Sequence, residues 1–589
     1  MIVADVRCAG TALRFVPRRG ADLTSLQRAL KSATTQGAVR REGSGLVAPA
    51  RDLTWLLEEG VTGRLKVALD AEAERALVIR RRAASTHAQY RHHVTQLYEA
   101  GVDLARAELE SSPTAQDTTV LDDHQLVNVA AMSAPEGYGM LLFDEQGAGK
   151  TVSVIYAFDR LVGLNCLDMM VVVAPKSMVG EWANAIAEFM DDRYRVEIIS
   201  GTATERTRRV DSGADVVIMN YEAVRTVRDP LVRRLRRHPD RGLLVVDESF
   251  AVKNPQARRT REIESIRDWF GRCWLLCGTP APNSAHDIVA QVSMVDFGAT
   301  FAGVDIPDDR AQAVPVVRRA LEARAIYLRN LKADVLPDLP DRTFTRLTVP
   351  LSSLQSRLYA AAHGALIADV EALDEQQFLG QLTNFLARRM ALLRIASNPA
   401  GAFPEYNELP GKLVALDSLI EQLVGVQQEK VVIWSSFTHS LAAIVDRYAR
   451  FGTVRYDGAV ASIEDRRESV RKFQNDPEIM IFVANPAAAG AGLTLHAARY
   501  AVYESFTNQA AQYLQSLDRI HRRGQTREVE YFVMLAENTI ESSEFDTLIS
   551  KERRARDLLG DALAEPLTRE RFLAELRASW TGSPVEVGQ

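Results

Sequence analysis

The sequence predicts an α/β protein of two tandem lobes, each on a parallel sheet, with helical protrusions between them and a small α+β domain in front. Three observations predict it. From Val120 onward, strand-length apolar runs alternate with helical periodicity, a pattern that calls for a parallel sheet covered on both faces. The alternation lapses between about Ala299 and Gly411, where helical spacing takes over, and resumes beyond Gly411. A glycine-bearing loop in LFDEQGAGKT (Leu142 to Thr151) joins an apolar run to a helix near the start of the first set.

A chain of 589 residues has room for about three or four domains with substantial cores. Its longest apolar runs, such as MMVVVA (Met169 to Ala174), are strand-sized, so no membrane span is expected. The start, MIVADVRCAG, lacks a basic stretch followed by an apolar one, which argues against a secretion signal. Four cysteines are too few for a disulfide framework. Cys273 and Cys277 have no second pair to complete a zinc site and are expected as buried thiols in a reducing compartment. The net charge of −6 excludes a globally basic protein, though a groove needs only local positive charge.

Residues 1–115 are expected as a separate accessory domain. TALRFVP predicts a strand, ADLTSLQRALKSA an amphipathic helix, and AVRREGSGLVAP a hairpin-like stretch. DLTWLLEEG starts a further helix with Asp52 as its cap, and one polar helix runs from about Asp70 to Glu110. SSPTAQDTT is a linker by composition. This order of elements resembles the small HepA-related (HARP) domain found before some DNA-annealing ATPases.

The first lobe, 116–345, contains the runs MLLF, DMMVVVAP, DVVIMNY, LLVVDES and CWLLCGTP. Ligand chemistry in such a sheet gathers at the carboxyl ends of the strands. After MLLF, the loop can wrap backbone N–H groups around a polyphosphate, with Lys150 on its terminal phosphates and the Thr151 hydroxyl on Mg²⁺. Gly147 and Gly149 let the backbone approach, while Asp144 stands where the strict GxxxxGKT pattern has its first glycine. After LLVV, the pair Asp247 and Glu248 suits water-relayed Mg²⁺ binding by the first carboxylate and activation of the attacking water by the second.

Residues 346–410 are expected as the helical protrusion and linker, 411–565 as the second lobe ending in a brace helix, and 566–589 as a frayed tail. In DRIHRRGQ, Arg519 and Arg522 fall at i and i+3 of an expected helix, so both can point into one cleft. Two guanidiniums facing a triphosphate suit the charge on a transferring phosphoryl group.

LLFDEQGAGKT, LLVVDESFAVKNPQARRT and LLCGTPAPNS, in that order, resemble motifs I, II and III of superfamily 2 helicases, and more narrowly of the Swi/Snf (sucrose-non-fermenting) family of DNA translocases. VVVAPKSMVGEWANAIAEF and VVIMNYEAV resemble motifs Ia and Ib. KVVIWSSFTHSLAAIVDRY, IMIFVANPAAAGAGLTL and QYLQSLDRIHRRGQTREVEYFVML resemble motifs IV, V and VI. The resemblance implies RecA-like P-loop lobes and a DNA-dependent ATPase, with Mg²⁺ and ATP in a cleft between the lobes. Lys150, Glu248, Arg519 and Arg522 would carry the chemistry. Gln125, Glu145, Gln146, Gly147, Ala148, Gly149, Lys150, Thr151, Gly492 and Gln515 would hold ATP, and Thr151 and Asp247 the metal. Lys176, Ser177, Asn220, Ser436 and Thr494 would lie on the nucleic acid. Motif II departs from the family, with Ser249 for Ala or Gly and Phe250 for the usual His, which places any peculiarity in coupling.

The implied partner is duplex DNA, tracked by a monomer that remodels DNA or DNA–protein complexes. The alternatives are a fork-acting unwinding or annealing helicase, and an ATP-switched DNA clamp with weak hydrolysis. Composition suits a cytoplasmic protein of bacterial or phage origin.

Overall fold

A computed structural model describes residues 4–9, 12–18, 23–34, 39–58, 66–111, 118–278, 280–281, 284–460, 463–488, 493–506, 509–556 and 569–578. The chain divides into two compact units: residues up to Val335 form one, and those from Leu336 to Arg554 with 569–578 the other.

The first unit opens with a five-stranded sheet. β1 (Ala4–Ala9) and β2 (Ala12–Pro17) pair antiparallel, β3 (Arg40–Glu42) and β4 (Gly45–Pro49) form the expected hairpin, and β5 (Val67–Leu69) joins β1 in parallel, giving the order β3-β4-β2-β1-β5. One face of this sheet buries Val6, Leu13, Phe15 and Leu46 against Leu26 and Leu30 of the helix Leu23–Ala33. DLTWLLEEG contributes a 3₁₀ segment, Ala50–Glu58, rather than an α-helix capped by Asp52.

The long polar helix is two helices, Ala71–Ala100 and Val102–Glu110, broken at Gly101 with φ 73°. Its N-cap is Asp70, whose carboxylate accepts the Ala73 N–H at 2.7 Å. The first helix corrects the expectation of a separate N-terminal domain. Ala73 and Leu77 belong to the small domain's core, whereas Ala83, Tyr90, Val94 and Leu97 belong to the core of the lobe that follows. Arg80, buried, pairs with Asp268 at 2.8 Å, and Arg228 reaches back to Glu72 at 2.9 Å. One continuous helix thus serves two cores, and two of its charged residues, Glu72 and Arg80, are spent on pairs with the lobe.

The lobe behind it is a seven-stranded, wholly parallel sheet of order β12-β6-β11-β10-β7-β9-β8. Its strands are β6 (Gly139–Leu142), β7 (Met169–Ala174), β8 (Val196–Ile198), β9 (Val216–Asn220), β10 (Gly242–Asp247), β11 (Arg272–Leu276) and β12 (Tyr327–Leu328). β6, β7, β10 and β11 are buried along their whole length, as strands covered on both faces must be.

The second unit holds a six-stranded parallel sheet of order β13-β18-β17-β14-β16-β15. Its strands are β13 (Arg342–Val349), β14 (Val431–Trp434), β15 (Thr453–Tyr456), β16 (Ile481–Ala484), β17 (Tyr500–Tyr503) and β18 (Val529–Ala536). A lobe boundary at 345 cuts through β13, which pairs with β18 over its full length and so belongs to the second sheet. The protrusion is the helix pair Ser353–Glu371 and Glu375–Ser397. Part of the expected tail is also structured: the helix Arg569–Ala578 buries Phe572 and Leu576 against that pair, and Arg389 holds Glu575 at 2.7 Å. SWTGSPVEVGQ lies outside the described residues. Buried Lys412 donates to the Glu504 carbonyl and to Glu541 Oε1, both at 2.7 Å, fastening the end of β17 to the helix Glu541–Arg556. Among the described residues no helix is long and apolar enough to cross a membrane.

Candidate nucleotide site

Three neighbouring strands, β6, β11 and β10, deliver the candidate site at their carboxyl ends. The loop after β6 turns through Gly147 (φ 87°) and Gly149 (φ 78°) into the helix Lys150–Gly163. The unpaired N–H groups of that first turn and the helix dipole make an anion cradle. Lys150 is folded onto the loop, its ammonium donating to the Asp144 carbonyl at 2.8 Å and the Glu145 carbonyl at 3.3 Å. A phosphate would exchange these neutral acceptors for a charged one. Thr151 follows on the same turn.

The loop is held from outside. Gln125 accepts the Asp122 N–H at 2.9 Å and donates to the Gly149 carbonyl at 3.3 Å. His124 Nε2 donates to the Ala148 carbonyl at 2.8 Å. Glu145 Oε2 accepts the Lys332 N–H at 2.9 Å. Gln125 thus serves here as a clamp on the phosphate loop itself. Asp144 explains the missing first glycine. Fully buried, it accepts from Asn128 Nδ2 at 2.7 Å and from both the backbone N–H and Nδ2 of Asn330 at 2.8 Å. The loop start is fixed by a side chain where a glycine would only permit the turn.

A Cβ on Gly149 would lie 2.1 Å from Gln125 Nε2, in a left-handed conformation that side chains avoid. Gly149→Ala is therefore expected to cost about 1–3 kcal/mol of local strain and to weaken ATP binding about tenfold or more. Titration with a fluorescent ATP analogue reads this directly, and unchanged affinity would contradict the cradle.

At the end of β10, Asp247 and Glu248 are both buried. Asp247 accepts the indole N–H of Trp182 and the Glu248 N–H, each at 2.9 Å. Burial pushes its carboxyl above the ordinary range, while the nearby Lys150 ammonium pulls it back. Both of its donors are neutral and it is in no ion pair among the described residues, so lone pairs remain for hydrated Mg²⁺. With the Thr151 hydroxyl, this donor set fits that ion. Glu248 takes a left-handed backbone, φ 52°, which is costly for a side chain of its size. The Tyr221 hydroxyl braces the turn by donating to the Asp247 carbonyl at 2.6 Å and the Glu248 carbonyl at 3.3 Å. Gln146 then donates to Glu248 Oε1 at 2.7 Å, joining loop and acid pair. Gly278, at the end of β11, packs on Gln146 closely enough that a Cβ there would come within 2.8 Å.

Phe250 is partly buried against the lobe's core, away from any polar task. Its neighbour Ser249 makes the polar link, donating to Gln291 Oε1 at 2.7 Å, and Gln291 donates to the Pro280 carbonyl at 2.6 Å. Trp182, Tyr221, Gln291, Asn128 and Asn330 were not singled out from sequence. Trp182, Tyr221, Gln291 and Asn128 are buried and Asn330 is half-buried, and each bonds a site residue at least 16 positions away.

Lys176 and Ser177 are exposed beyond the end of β7, on the same sheet edge but about 14 Å along it from β6 at ordinary strand spacing. Asn220, the last residue of β9, is occupied as a cap and accepts the Ala223 N–H at 3.0 Å.

In the second unit, Arg519 and Arg522 converge, both donating to the Leu493 carbonyl, at 3.4 and 3.0 Å. The helix expected to carry them ends earlier, at Leu517. The two arginines lie in the turns that follow, where the chain folds back on Leu493. Gln515 is buried on that helix. The Ser436 N–H donates to the Ser505 hydroxyl at 3.0 Å, and the Thr494 carbonyl accepts from Gln474 at 3.0 Å. Gly492 lies outside the described residues.

Residues 122–400 match the family described as SNF2-related domain, and residues 411–524 that described as helicase conserved C-terminal domain. Among curated proteins, the ISWI chromatin-remodeling complex ATPase CHR17 of Arabidopsis thaliana is 27% identical over 465 residues, 73% of this chain and 41% of the relative. The human SWI/SNF-related matrix-associated actin-dependent regulator of chromatin subfamily A member 1 is 26% identical over 498 residues, 77% of this chain and 46% of the relative. The chain thus spans less than half the length of either. Among solved structures, the Sulfolobus solfataricus SWI2/SNF2 ATPase core in complex with dsDNA is similar at 22% identity and a TM-score of 0.34, covering 75% of this chain and 93% of that one.

Proposed function

This chain belongs to the Swi/Snf family of helicase-like superfamily 2 proteins, and from that premise we propose that it is a DNA-dependent ATPase that tracks duplex DNA and remodels DNA or DNA–protein complexes. The observation that carries the reading is the Gln146–Glu248 bond, which sets phosphate loop and candidate base in one constellation.

ATP lies with its phosphates on the loop Glu145–Thr151. Lys150 releases the loop carbonyls and binds the terminal phosphates. Asp247 and the Thr151 hydroxyl would hold Mg²⁺, which would supply charge neutralisation at the phosphates. Glu248 orients the attacking water and takes its proton. Arg519 and Arg522 stabilise the charge on the transferring phosphoryl group. DNA is held through its backbone by Lys176, Ser177, Ser436 and Thr494, so binding is sequence-independent and weakens steeply with salt.

The test is ATP turnover with no nucleic acid, single-stranded DNA, duplex, fork and RNA. Duplex DNA is expected to raise turnover about tenfold or more. A response to forks alone selects the unwinding or annealing reading. A flat response with ATP-dependent DNA retention selects the clamp, and a flat response without it removes the motor.

A further inference from the structure

The five-stranded N-terminal sheet has one face packed on its core and one turned outward. The outward face carries a row of arginines. Arg40 on β3 stands opposite Val47 on β4, Val47 opposite Arg14 on β2, and Arg14 opposite Arg7 on β1. Residues in cross-strand register share a face. Arg7, Arg14 and Arg40 are all exposed, and among the described residues none of them is in an ion pair. Two acidic residues share the face, and Asp5 attracts Arg7 less than it does Arg18. Asp5 is taken by Arg18, whose guanidinium grips it at 2.6 Å and holds its carboxyl below the ordinary range. Glu42 sits at the end of β3, where its carbonyl accepts from Arg14 at 3.5 Å.

Two features make this more than a solvated surface. Arg7 and Arg14 are directly opposite across an antiparallel pair, about 5 Å apart at Cα, and like charges so placed destabilise a sheet. The asymmetry is also local: residues 1–58 hold nine Arg and Lys against five Asp and Glu, in a chain of net charge −6. From β1 to β3 the row spans about 14 Å of sheet, enough to lie along about four phosphates of one strand of duplex DNA. Arginine forks bind phosphate bidentately, and a phosphate between Arg7 and Arg14 converts their repulsion into two favourable pairs.

We propose that the outer face of this sheet is a second DNA-binding surface, which holds the phosphate backbone of duplex DNA through Arg7, Arg14 and Arg40 independently of the nucleotide-driven lobes. The partner rests on the DNA-tracking function above; the surface is additional to it. Its consequence is retention: contacts outside the ATP-responsive lobes keep the chain on DNA while the lobes release and rebind.

The experiment measures affinity of the full chain for a labelled duplex between 50 and 200 mM salt, for the wild type, Arg7→Ala/Arg14→Ala/Arg40→Ala and the triple Lys variant. At about 0.9 per phosphate contact, the slope of log affinity against log salt is expected to fall by about two to three units in the Ala variant and to be kept in the Lys variant. The melting temperature of the Ala variant stays level or rises as the Arg7–Arg14 repulsion is removed. An unchanged slope with wild-type binding intact overturns this surface alone. A fall of several degrees in melting temperature overturns the argument from repulsion. A wild type that binds no duplex at all overturns the DNA-tracking function and this surface with it.

Discussion

Glutamine in place of Glu248 lowers ATP turnover about 10²–10⁴-fold while leaving ATP binding close to the wild-type value. The substitution keeps shape and keeps an acceptor for Gln146 Nε2, which bonds Glu248 Oε1 at 2.7 Å, so the loop and the end of β10 stay joined. What disappears is basicity. Backbone geometry is unaffected as well, since the left-handed turn at 248 is held by Tyr221 and by the Glu248 N–H on Asp247, neither of which involves the replaced atoms. The expected signature is therefore a fall in kcat with KM nearly constant, the mark of an interaction made only in the transition state. Turnover within a few-fold of wild type would show that another group activates the water.

The central strands were legible because burial on both faces writes an uninterrupted apolar run: β6, β7, β9, β10 and β11 correspond to MLLF, DMMVVVAP, DVVIMNY, LLVVDES and CWLLCGTP. The edge strands β8 and β12 were not. Val196–Ile198 is only half-buried and Tyr327–Leu328 is two residues long, so neither leaves a run to read. β13 hid for another reason. RTFTRLTV has only Phe344, Leu347 and Val349 scattered among polar residues at the edge of its sheet, amid helical sequence, and only its pairing with β18 reveals it. Lys150, Thr151, Asp247 and Glu248 could be named from spacing because phosphate chemistry ties them to strand ends. The groups that position them could not. Trp182 on Asp247, Tyr221 on the Glu248 turn and Asn330 on Asp144 come from distant segments and carry no local pattern.

The departure in motif II also reads differently in three dimensions. Sequence alone marks both Ser249 and Phe250 as departures and places the peculiarity at Phe250. The structure packs its ring against the core and gives the polar link to Ser249, whose bond to Gln291 reaches the Pro280 carbonyl in the segment after β11. A hydroxyl and an amide thus link the residue after the acid pair to the segment after β11.

Arg522→Ala is expected to reduce DNA-stimulated turnover about 10³–10⁵-fold, the largest loss of any single change proposed for this chain. The reason is electrostatic. A transferring phosphoryl group spreads charge over three oxygens, and a guanidinium fixed beside it stabilises that charge with little reorganisation. Arg519 and Arg522 are already drawn together on the Leu493 carbonyl, the first of them buried, so their positions come from the fold and need no helix to align them. Losing one guanidinium leaves the phosphate loop of the first unit intact, so binding of a fluorescent ATP analogue should persist as turnover collapses. Arg522→Lys separates charge from geometry: it keeps the cation and loses the fork, and is expected to recover only part of the rate. If Arg522→Ala instead turned ATP over at the wild-type rate, the second unit would contribute nothing to hydrolysis, and the ATP chemistry would belong to the first unit alone.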